Sequence, residues 1–488
     1  MQAQFQLKLL SFLLVLSFLA CNLPNQIIEE SPPQAEPAEV TASEEAVSAP
    51  TASSASSQDL PTNLIQPEDL TYLGAFRLPD GGDEATTWEY GGQALAFNPN
   101  GDPGGEVDGF PGSLFGSGHD IWNYVSEVSI PAPLITRDIE QLPIATTLQD
   151  FQDVSGGLFN GFEEMPRVGL EALPPMGEQS VPKLYLAWGT HHHDEGSPSD
   201  APTHAWCDLD LANPNTQGAW RVGDESLYSV NGYMFQIDHA WADTYLGGAQ
   251  LATGRYRDGG WSGKGPTLFA IAPWDEGNPP DPSSRLTSQT LLRYSMWDDP
   301  ESNTLRGYHD ADEWEGGAWL TSGDETAVII VGSKGGGDYW WYGYASPNGD
   351  GMPCPAIDPL EGVVCFNADG TPCAEEASSH CEGYLEESKG CWSSRFDAQI
   401  LFYNPEDFAA VLASDLEPFE PQPFAVLDID EFLYLDPPEW DQANLGLGDQ
   451  RRYRLGEIAY DREHGFLYIV ERYADGAKPV VHVWSIQP

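Results

Sequence analysis

Residues 455–487 read LGEIAYDREHGFLYIVERYADGAKPVVHVWSIQ, and this stretch decides the fold. Three short apolar runs, at 458–460, 466–470 and 480–486, are separated by polar turns that contain Asp, Gly and Pro. Runs of this length between turn residues are typical of β-strands that follow one another as an antiparallel meander. The stretch therefore predicts a compact unit of short strands, and the rest of the chain repeats it.

Each upstream copy of this unit opens on a glycine. The glycine is followed by an inner strand, a more apolar second strand, a polar loop and outer strands, which is the order of a propeller blade. The opening glycines are Gly92, Gly169, Gly232, Gly317 and Gly456. They are 77, 63, 85 and 139 residues apart, and the longest interval contains a cysteine-rich stretch, residues 345–392, which we interpret as an inserted loop.

The repeat predicts an all-β chain that forms a single β-propeller of about five four-stranded blades. The last unit lacks a fourth strand, and we expect residues 71–76 to supply it, so that strands from the two ends of the chain close one blade. Such closure removes open sheet edges. Six blades fit as well, because residues 404–450 are difficult to place, and a large β-sandwich or two stacked β domains is the alternative. Residues 405–412 predict one short helix.

The first 60 residues predict export and a tether. Lys8 is followed by twelve uncharged, mostly apolar residues, which suits a signal peptide over residues 1–20 and is too short for an ordinary membrane span. The junction Ala20-Cys21 resembles a bacterial lipobox, and this resemblance implies cleavage before Cys21 and lipidation of its thiol. An ordinary signal peptide that contains a cysteine is the alternative. Pro, Ala, Ser, Thr and Glu dominate residues 21–60, which predicts a disordered tether before a folded body at residues 61–488.

The formal net charge of −55 limits the partners of this chain. It argues against nucleic acid and against contact of the body with an anionic membrane, which leaves the lipid anchor as the membrane contact. Three explanations compete for the charge: a salt-adapted surface, calcium binding and recruitment of a cationic partner.

Six cysteines remain if Cys21 is lipidated. An even number in an exported chain suggests up to three disulfides. Five of the six cysteines lie in the insertion, and the sixth is a distant partner. The six are Cys207, Cys354, Cys365, Cys373, Cys381 and Cys391.

The loops between second and third strands of a propeller gather at one mouth of the central channel. In this chain those loops carry charged groups and imidazoles, which predicts a ligand-binding face. Trp340 and Trp341 follow in a Gly-rich loop, and such rings suit stacking on sugars. The loop residues are His119, Asp120, His191, His193, Arg255, Arg257, Lys334, Glu471 and Arg472.

Two carboxylates are expected on inner strands, where Glu171 and Glu457 lie close behind their opening glycines. Carboxylates that face a narrow channel repel each other unless an arginine, a histidine or a cation compensates them. They are therefore candidate ligands, or acid/base groups with raised pKa values, together with Asp120. A polar channel filled by water is the alternative.

Two metal sites are hypotheses from the sequence. His191 and His193 lie on the same side of an extended backbone, and with His119 they suit a transition metal; an exposed loop is the alternative. A second set of residues, Asn98, Asn100 and Asp102, resembles a calcium loop. Pro103 stands where an EF-hand has glycine, so Asx turns are the alternative there.

The blade pattern over residues 61–488 resembles that of bacterial exported lipoproteins with NHL/YVTN-like propeller domains. This resemblance implies an extracytoplasmic binding or scaffold module held at the cell envelope by its lipid. The first hypothesis is a protein that binds a small polar ligand, a glycan or a protein at the channel mouth. The rival hypothesis is a carbohydrate-active or metal-dependent enzyme that uses carboxylates and histidines of the same face. A purely structural surface protein is the third.

Overall fold

The computed structural model describes most of the chain from Asn63 onward. All described residues belong to one unit, Leu60–Pro488. At 106, 337–341 and 391–394 the structure describes the backbone alone. The described ranges are 63–102, 104–162, 167–190, 200–256, 264–296, 302–309, 311–341, 391–435, 451–452 and 454–486.

Five antiparallel sheets, each one blade, make up the described fold. The strand β1 (Leu70–Arg77) opens the chain of elements and belongs to the last blade. The first blade contains β2 (Leu95–Asn98), β3 (Ser113–Ser117), β4 (Val125–Ser129) and β5 (Thr147–Gln152). The second contains β6 (Val168–Leu173), β7 (Lys183–Trp188), β8 (His204–Cys207) and β9 (Gln217–Val222).

The remaining blades follow in chain order. The third contains β10 (Tyr233–Gln236), β11 (Leu251–Gly254) and β12 (Thr267–Ile271); the next strand, β13 (Arg285–Leu286), adds a parallel edge to β9, and β14 (Ser288–Arg293) completes the third blade. The fourth contains β15 (Glu313–Ser322), β16 (Glu325–Trp341), β17 (Cys391–Tyr403) and β18 (Ala425–Asp428). The fifth contains β19 (Leu455–Asp461), β20 (Phe466–Asp475), β21 (Lys478–Ile486) and β1.

The described helices are short. They are α1 (His239–Tyr245) and α2 (Pro405–Leu412), with 3₁₀ turns at Pro67–Asp69, Gly105–Val107, Ile139–Gln141, Leu227–Ser229, Pro273–Asp275 and Asp430–Phe432. Within the described ranges, no helix has the length and apolar character that crossing a membrane requires. The bounds of α2 agree with the helix predicted from the sequence.

The inner strands of the five blades neighbour one another in a closed ring, in the order β2, β6, β10, β15 and β19. Gly92 and Gly456 lie where the last inner strand meets the first. A Cβ on Gly456 would lie 2.0 Å from the carbonyl oxygen of Gly92, so this approach requires glycine. The cores lie between the blades; Trp206 and Trp220, for example, are fully buried with ring centroids 4.7 Å apart.

The structure confirms the five-bladed all-β propeller and its closure. Predicted strand 71–76 lies within β1, which pairs with β21 from Leu70 and Ile486 to Arg77 and Val480. The six-blade alternative was wrong, because residues 425–428 form β18, the outer strand of the fourth blade, rather than part of a further blade.

Two details of the fourth and second blades differ from the prediction. The residues after Lys334 do not form a loop: β16 continues to Trp341 and pairs with β17, with Trp340 opposite Trp392. Cys207 is a free thiol buried in β8 rather than a disulfide partner, because the interior of the second blade encloses it. Residues 342–390, with the other clustered cysteines apart from Cys391, lie outside the described residues.

Candidate functional site

The starts of the inner strands and the loops between second and third strands lie on the same side of the propeller. We call this side the mouth face and define it by the segments that lead into β2, β6 and β19, the first residues of β15, the residues just after β3 and β11, and the later residues of β20. It contains a cluster of arginines and tyrosines. The members are Tyr90, His119, Asp120, Arg167, Tyr256, Glu313, Glu315, Arg451, Arg454, Arg472 and Tyr473.

Arg167 connects three blades at this face. It stands directly before β6, is buried, and donates from Nη2 to Oε1 of Glu315 on β15 at 2.7 Å. Its guanidinium carbon lies 4.2 Å from the centroid of the Tyr256 ring. The Tyr256 hydroxyl donates in turn to Glu313 at 2.8 Å. A buried arginine is thus neutralised by carboxylates of another blade, which fixes the relative position of the inner strands.

Three further arginines come from the fifth blade. Arg472 lies on β20 with a side chain that is 3% exposed. Arg451, just before β19, is fully buried and donates from Nη2 to the carbonyl oxygen of Arg472 at 3.0 Å. Arg454 donates from Nε to the carbonyl oxygen of Arg451 at 3.0 Å and from Nη1 to Asp430 at 2.7 Å. Positive charge is therefore concentrated at one point of a very acidic protein.

Tyr473 lies at the centre of this arginine group. Its ring centroid is 5.2 Å from the guanidinium carbon of Arg451 and 5.0 Å from that of Arg472, the geometry of cation–π contacts. Tyr473 has φ +54° and Tyr90, whose ring is 5.9 Å away, has φ +61°. A left-handed backbone costs a tyrosine about 1–3 kcal/mol and persists where surrounding structure enforces it, commonly at functional sites.

His119 and Asp120 form the more accessible rim of the cluster. The His119 Nδ1 atom lies 3.1 Å from the Asp120 carboxylate, and the side chains are 18% and 33% exposed. The His119 ring packs against Tyr90 at 5.0 Å between centroids. Asp120 lies 4.0 Å from Arg472. Both residues were predicted at the channel mouth, and the structure places them there beside Arg472.

Lys334 has a partner close by. It lies on β16 and its Nζ atom donates to Asp312 at 2.8 Å. Burial raises the pKa of Asp312 to about 6, against the effect of Lys334. Lys334 therefore compensates a buried carboxyl group.

Arg255 and Glu471 also have structural partners. Arg255 is fully buried and donates to the carbonyl oxygens of Gly265, Tyr294 and Ser295. Glu471 is fully buried and accepts from backbone N–H groups and from His482. Its contacts are Tyr434 N at 2.8 Å, Leu435 N at 2.7 Å and His482 Nε2 at 2.9 Å. Both side chains form hydrogen bonds to the backbone of neighbouring segments, which favours a structural role over ligand contact.

Glu457 occupies the centre of the channel. It is fully buried on β19, and its carboxylate accepts the backbone N–H groups of Leu95 at 2.9 Å, Leu170 at 3.3 Å and Met234 at 3.1 Å. These donors belong to β2, β6 and β10, so one side chain joins the inner strands of four blades. Burial raises the pKa of Glu457. Three backbone N–H groups occupy its two oxygens, which favours a structural role.

Glu171 lies further from the mouth face. Its Oε1 atom accepts from the backbone N–H of Gln236 at 3.1 Å. Arg462, which follows β19 on the opposite face, donates to the carbonyl oxygens of Gln236 and Trp319 and exerts a favourable charge effect on Glu171. Backbone N–H groups and the charge of Arg462 thus compensate the channel carboxylates.

The buried Glu171 makes stability depend on pH. Burial raises its pKa from an ordinary value of 4.5 to about 8, so between these values the folded chain holds a proton that the unfolded chain releases. The free energy of unfolding therefore falls as pH rises through this window. Between about pH 5 and about pH 8, we expect the free energy of unfolding of Glu171→Gln to fall by roughly 1–3 kcal/mol less than that of the wild type. Urea unfolding at both pH values measures this, and identical losses in the two proteins would contradict it.

Of the two predicted metal sites, the structure describes the calcium-like loop and not the histidine pair. His191, His193 and Arg257 lie outside the described residues, as do the side chains of Trp340 and Trp341. At the calcium-like loop, Asn98 and Asp102 each accept a backbone N–H two residues ahead, at 3.2 and 2.8 Å, as in Asx turns. Asn98 also donates to Glu127 at 2.9 Å. Neither site is tested by these contacts.

A cluster of three aspartates lies at the outer edge of the fourth blade. Asp397, Asp428 and Asp430 lie close enough together to hold a cation. Arg395 contacts Asp397 at 2.7 Å and Arg454 contacts Asp430 at 2.7 Å, so arginines already compensate two of the three.

Arg167, Arg451, Arg454 and Tyr90 were missed from the sequence. The prediction considered the loops after the second strands and omitted the segments that lead into the inner strands. One signal was present: residues 450–457 read QRRYRLGE, a dense run of arginine in a chain of net charge −55.

The chain was compared with protein-family models, curated proteins and solved structures. No protein-family model matches the chain, and no curated protein matches it. Among solved structures, the β-propeller domain of Cps50 (Swd1) from Myceliophteria thermophila is similar over 85% of this chain and 100% of that chain. The identity is 10% and the TM-score 0.24, so this similarity carries no argument about fold or function. The chain is a five-bladed β-propeller on the evidence of its own sheets.

Proposed function

We propose that this propeller is a binding protein that holds a polar ligand, a glycan in the first instance, against its mouth face. The observation that carries the proposal is the convergence there of side chains from several blades around Tyr473. Their chemistry is mixed, with aromatic rings beside guanidinium and carboxylate groups. Such a combination suits a sugar, whose apolar faces stack on rings while its hydroxyls bond to charged groups.

Binding is favoured over catalysis by the placement of the channel carboxylates. Glu457 is enclosed and fully used by backbone N–H groups, and Glu171 lies away from the mouth face. An enzyme of the carboxylate-pair kind needs two accessible carboxyl groups about 5–10 Å apart on either side of a bond. At the mouth face Asp120 is the accessible carboxylate among the residues described above, and it lies beside Arg472.

A glycan array tests the proposal, with neutral, amino, uronate-bearing and sulfated oligosaccharides as probes. The rim pair His119–Asp120 has a counterpart on the opposite face, where His464 lies 2.8 Å from Asp461. We expect the full chain and the control variant His464→Ala to bind at least one class of oligosaccharide. His119→Ala and Asp120→Ala should weaken that binding about tenfold or more. Absence of binding to every class, or equal losses in the two histidine variants, would overturn the proposal.

We also propose that the protein is exported and anchored at Cys21, with residues 22–60 as a tether. The support is the sequence alone: an uncharged run of signal-peptide length followed by Ala20-Cys21. Detergent phase partitioning of the wild type and Cys21→Ser separates a lipidated chain from an unmodified one. Partition of both into the aqueous phase would contradict the anchor.

A further inference from the structure

Arg451 has less compensation than the other arginines of the mouth face. It is fully buried, and within the described part of the chain its Nε and Nη1 atoms have no hydrogen-bond partner and its guanidinium has no ion pair. Its one hydrogen bond runs from Nη2 to the carbonyl oxygen of Arg472. By contrast, Arg167 pairs with Glu315 and Arg454 with Asp430.

The surroundings of Arg451 increase this imbalance. Burial lowers the pKa of Arg451 to about 10; the charges of Arg472 and Arg454 act in the same direction, and Glu471 and Tyr473 oppose them. A neighbouring carboxylate, Glu471, uses its oxygens for Tyr434, Leu435 and His482. Burial of an uncompensated charge is unfavourable and is retained where it serves a purpose. The Nη2 atom carries a second hydrogen besides the one donated to Arg472, and beside it either Nε or Nη1 can complete the two-point fork that a planar oxyanion accepts.

We infer that Arg451, together with Arg472 above the Tyr473 ring, binds an oxyanion group of the ligand: a carboxylate, a sulfate or a phosphate ester. The Nε or Nη1 atom of Arg451, together with the second hydrogen of Nη2, supplies the donors. The Tyr473 ring contacts both guanidinium groups, and its backbone is held in the left-handed region. This inference rests on the proposed function and narrows the ligand to an acidic one, such as a uronate-bearing or sulfated glycan.

Thermal unfolding and calorimetry with small anions test the inference. The probes are D-glucuronate, inorganic sulfate and inorganic phosphate, each titrated into the full chain with sodium chloride at matched ionic strength as the baseline. We expect at least one probe to give a saturable rise in Tm above that baseline, and the three arms separate the carboxylate, sulfate and phosphate sources. Arg451→Gln should abolish the rise, and Arg451→Lys, which keeps the charge without the fork, should weaken binding about tenfold. His464→Ala should bind as the wild type does.

The ligand-free variants provide a fold control. Because Arg451 is buried without an ion pair, we expect Arg451→Gln without ligand to unfold at the same temperature as the wild type or higher. If Arg451→Gln does not fold, Arg451→Lys decides the matter. The inference is overturned if no probe exceeds the chloride baseline or if Arg451→Gln retains the rise. Glycan binding that His119→Ala weakens but Arg451→Gln leaves unchanged would overturn the oxyanion site while the proposed function stands.

Discussion

Glu457→Leu is expected to lower the free energy of unfolding by about 3 kcal/mol or more. The substitution removes the acceptor of three buried N–H groups, those of Leu95, Leu170 and Met234, which belong to three different blades. A buried donor left without an acceptor costs about 1–3 kcal/mol, and the added apolar surface of leucine offsets part of the total. Urea unfolding followed by tryptophan fluorescence measures the change.

Glu171→Leu is the matched control for this result. Glu171 lies on a neighbouring inner strand and accepts one backbone N–H, that of Gln236. We expect Glu171→Leu to lower the free energy of unfolding by about 1 kcal/mol or less. One donor is left without an acceptor, and the removal of a buried ionisable group offsets part of that cost. Glu457→Gln, which keeps one acceptor oxygen, should lie between the wild type and Glu457→Leu. Equal effects of the two leucine substitutions would contradict the role of Glu457 in joining the inner strands.

The fold was predictable because its information is local and repeated. Each blade begins with a glycine and alternates short apolar runs with polar turns, and this pattern depends on neighbouring residues. Closure by β1 was predictable from the number of strands in each unit. The last unit had three strands, and residues 71–76 formed a strand that belonged to no unit. The outer strand β18 was missed because its alternation AVLD is short and half exposed.

The errors in the fourth blade have a physical cause. Residues 335–337 are three glycines, which locally favour a loop, yet β16 runs through them as far as Trp341. Its pairing with β17 compensates the low strand propensity of glycine, and that partner lies far away in sequence. The helix α1 was missed for the opposite reason, since its seven residues are too few to show a helical period.

The sequence predicted the face of the candidate site better than its residues. Glu471 and Arg472 are adjacent and were assigned the same role, but neighbours on a strand point to opposite sides. Glu471 therefore contacts Tyr434 and His482, whereas Arg472 reaches Asp120 and Tyr473. Strand register decides which of two such neighbours faces a ligand, and register is a property of the pairing between strands.

Removal of β1 is expected to abolish cooperative folding, the largest effect predicted for any change in this chain. A chain that begins at Leu78 lacks the pairing with β21 and exposes its edge. It also loses three buried apolar residues of β1, Leu70, Ala75 and Phe76. The ion pair of Arg77 with Asp475, at 2.9 Å, is lost as well. Burial of each large apolar side chain contributes about 1.5–3 kcal/mol, and a whole domain has about 5–15 kcal/mol of stability.

A chain that begins at Asn63 is the matched control, because it keeps every residue of β1 and removes the first 62. We expect it to elute as a monomer in gel filtration and to unfold in urea at the wild-type midpoint. The shorter chain should aggregate through its open edge, and a synthetic peptide of residues 63–78 should restore part of the folded population by pairing with β21. A monomeric shorter chain with the wild-type midpoint would contradict closure by β1 as the source of stability. Strand closure matters to the mouth face as well, since β20 and β21 form the sheet that positions Arg472 and Tyr473.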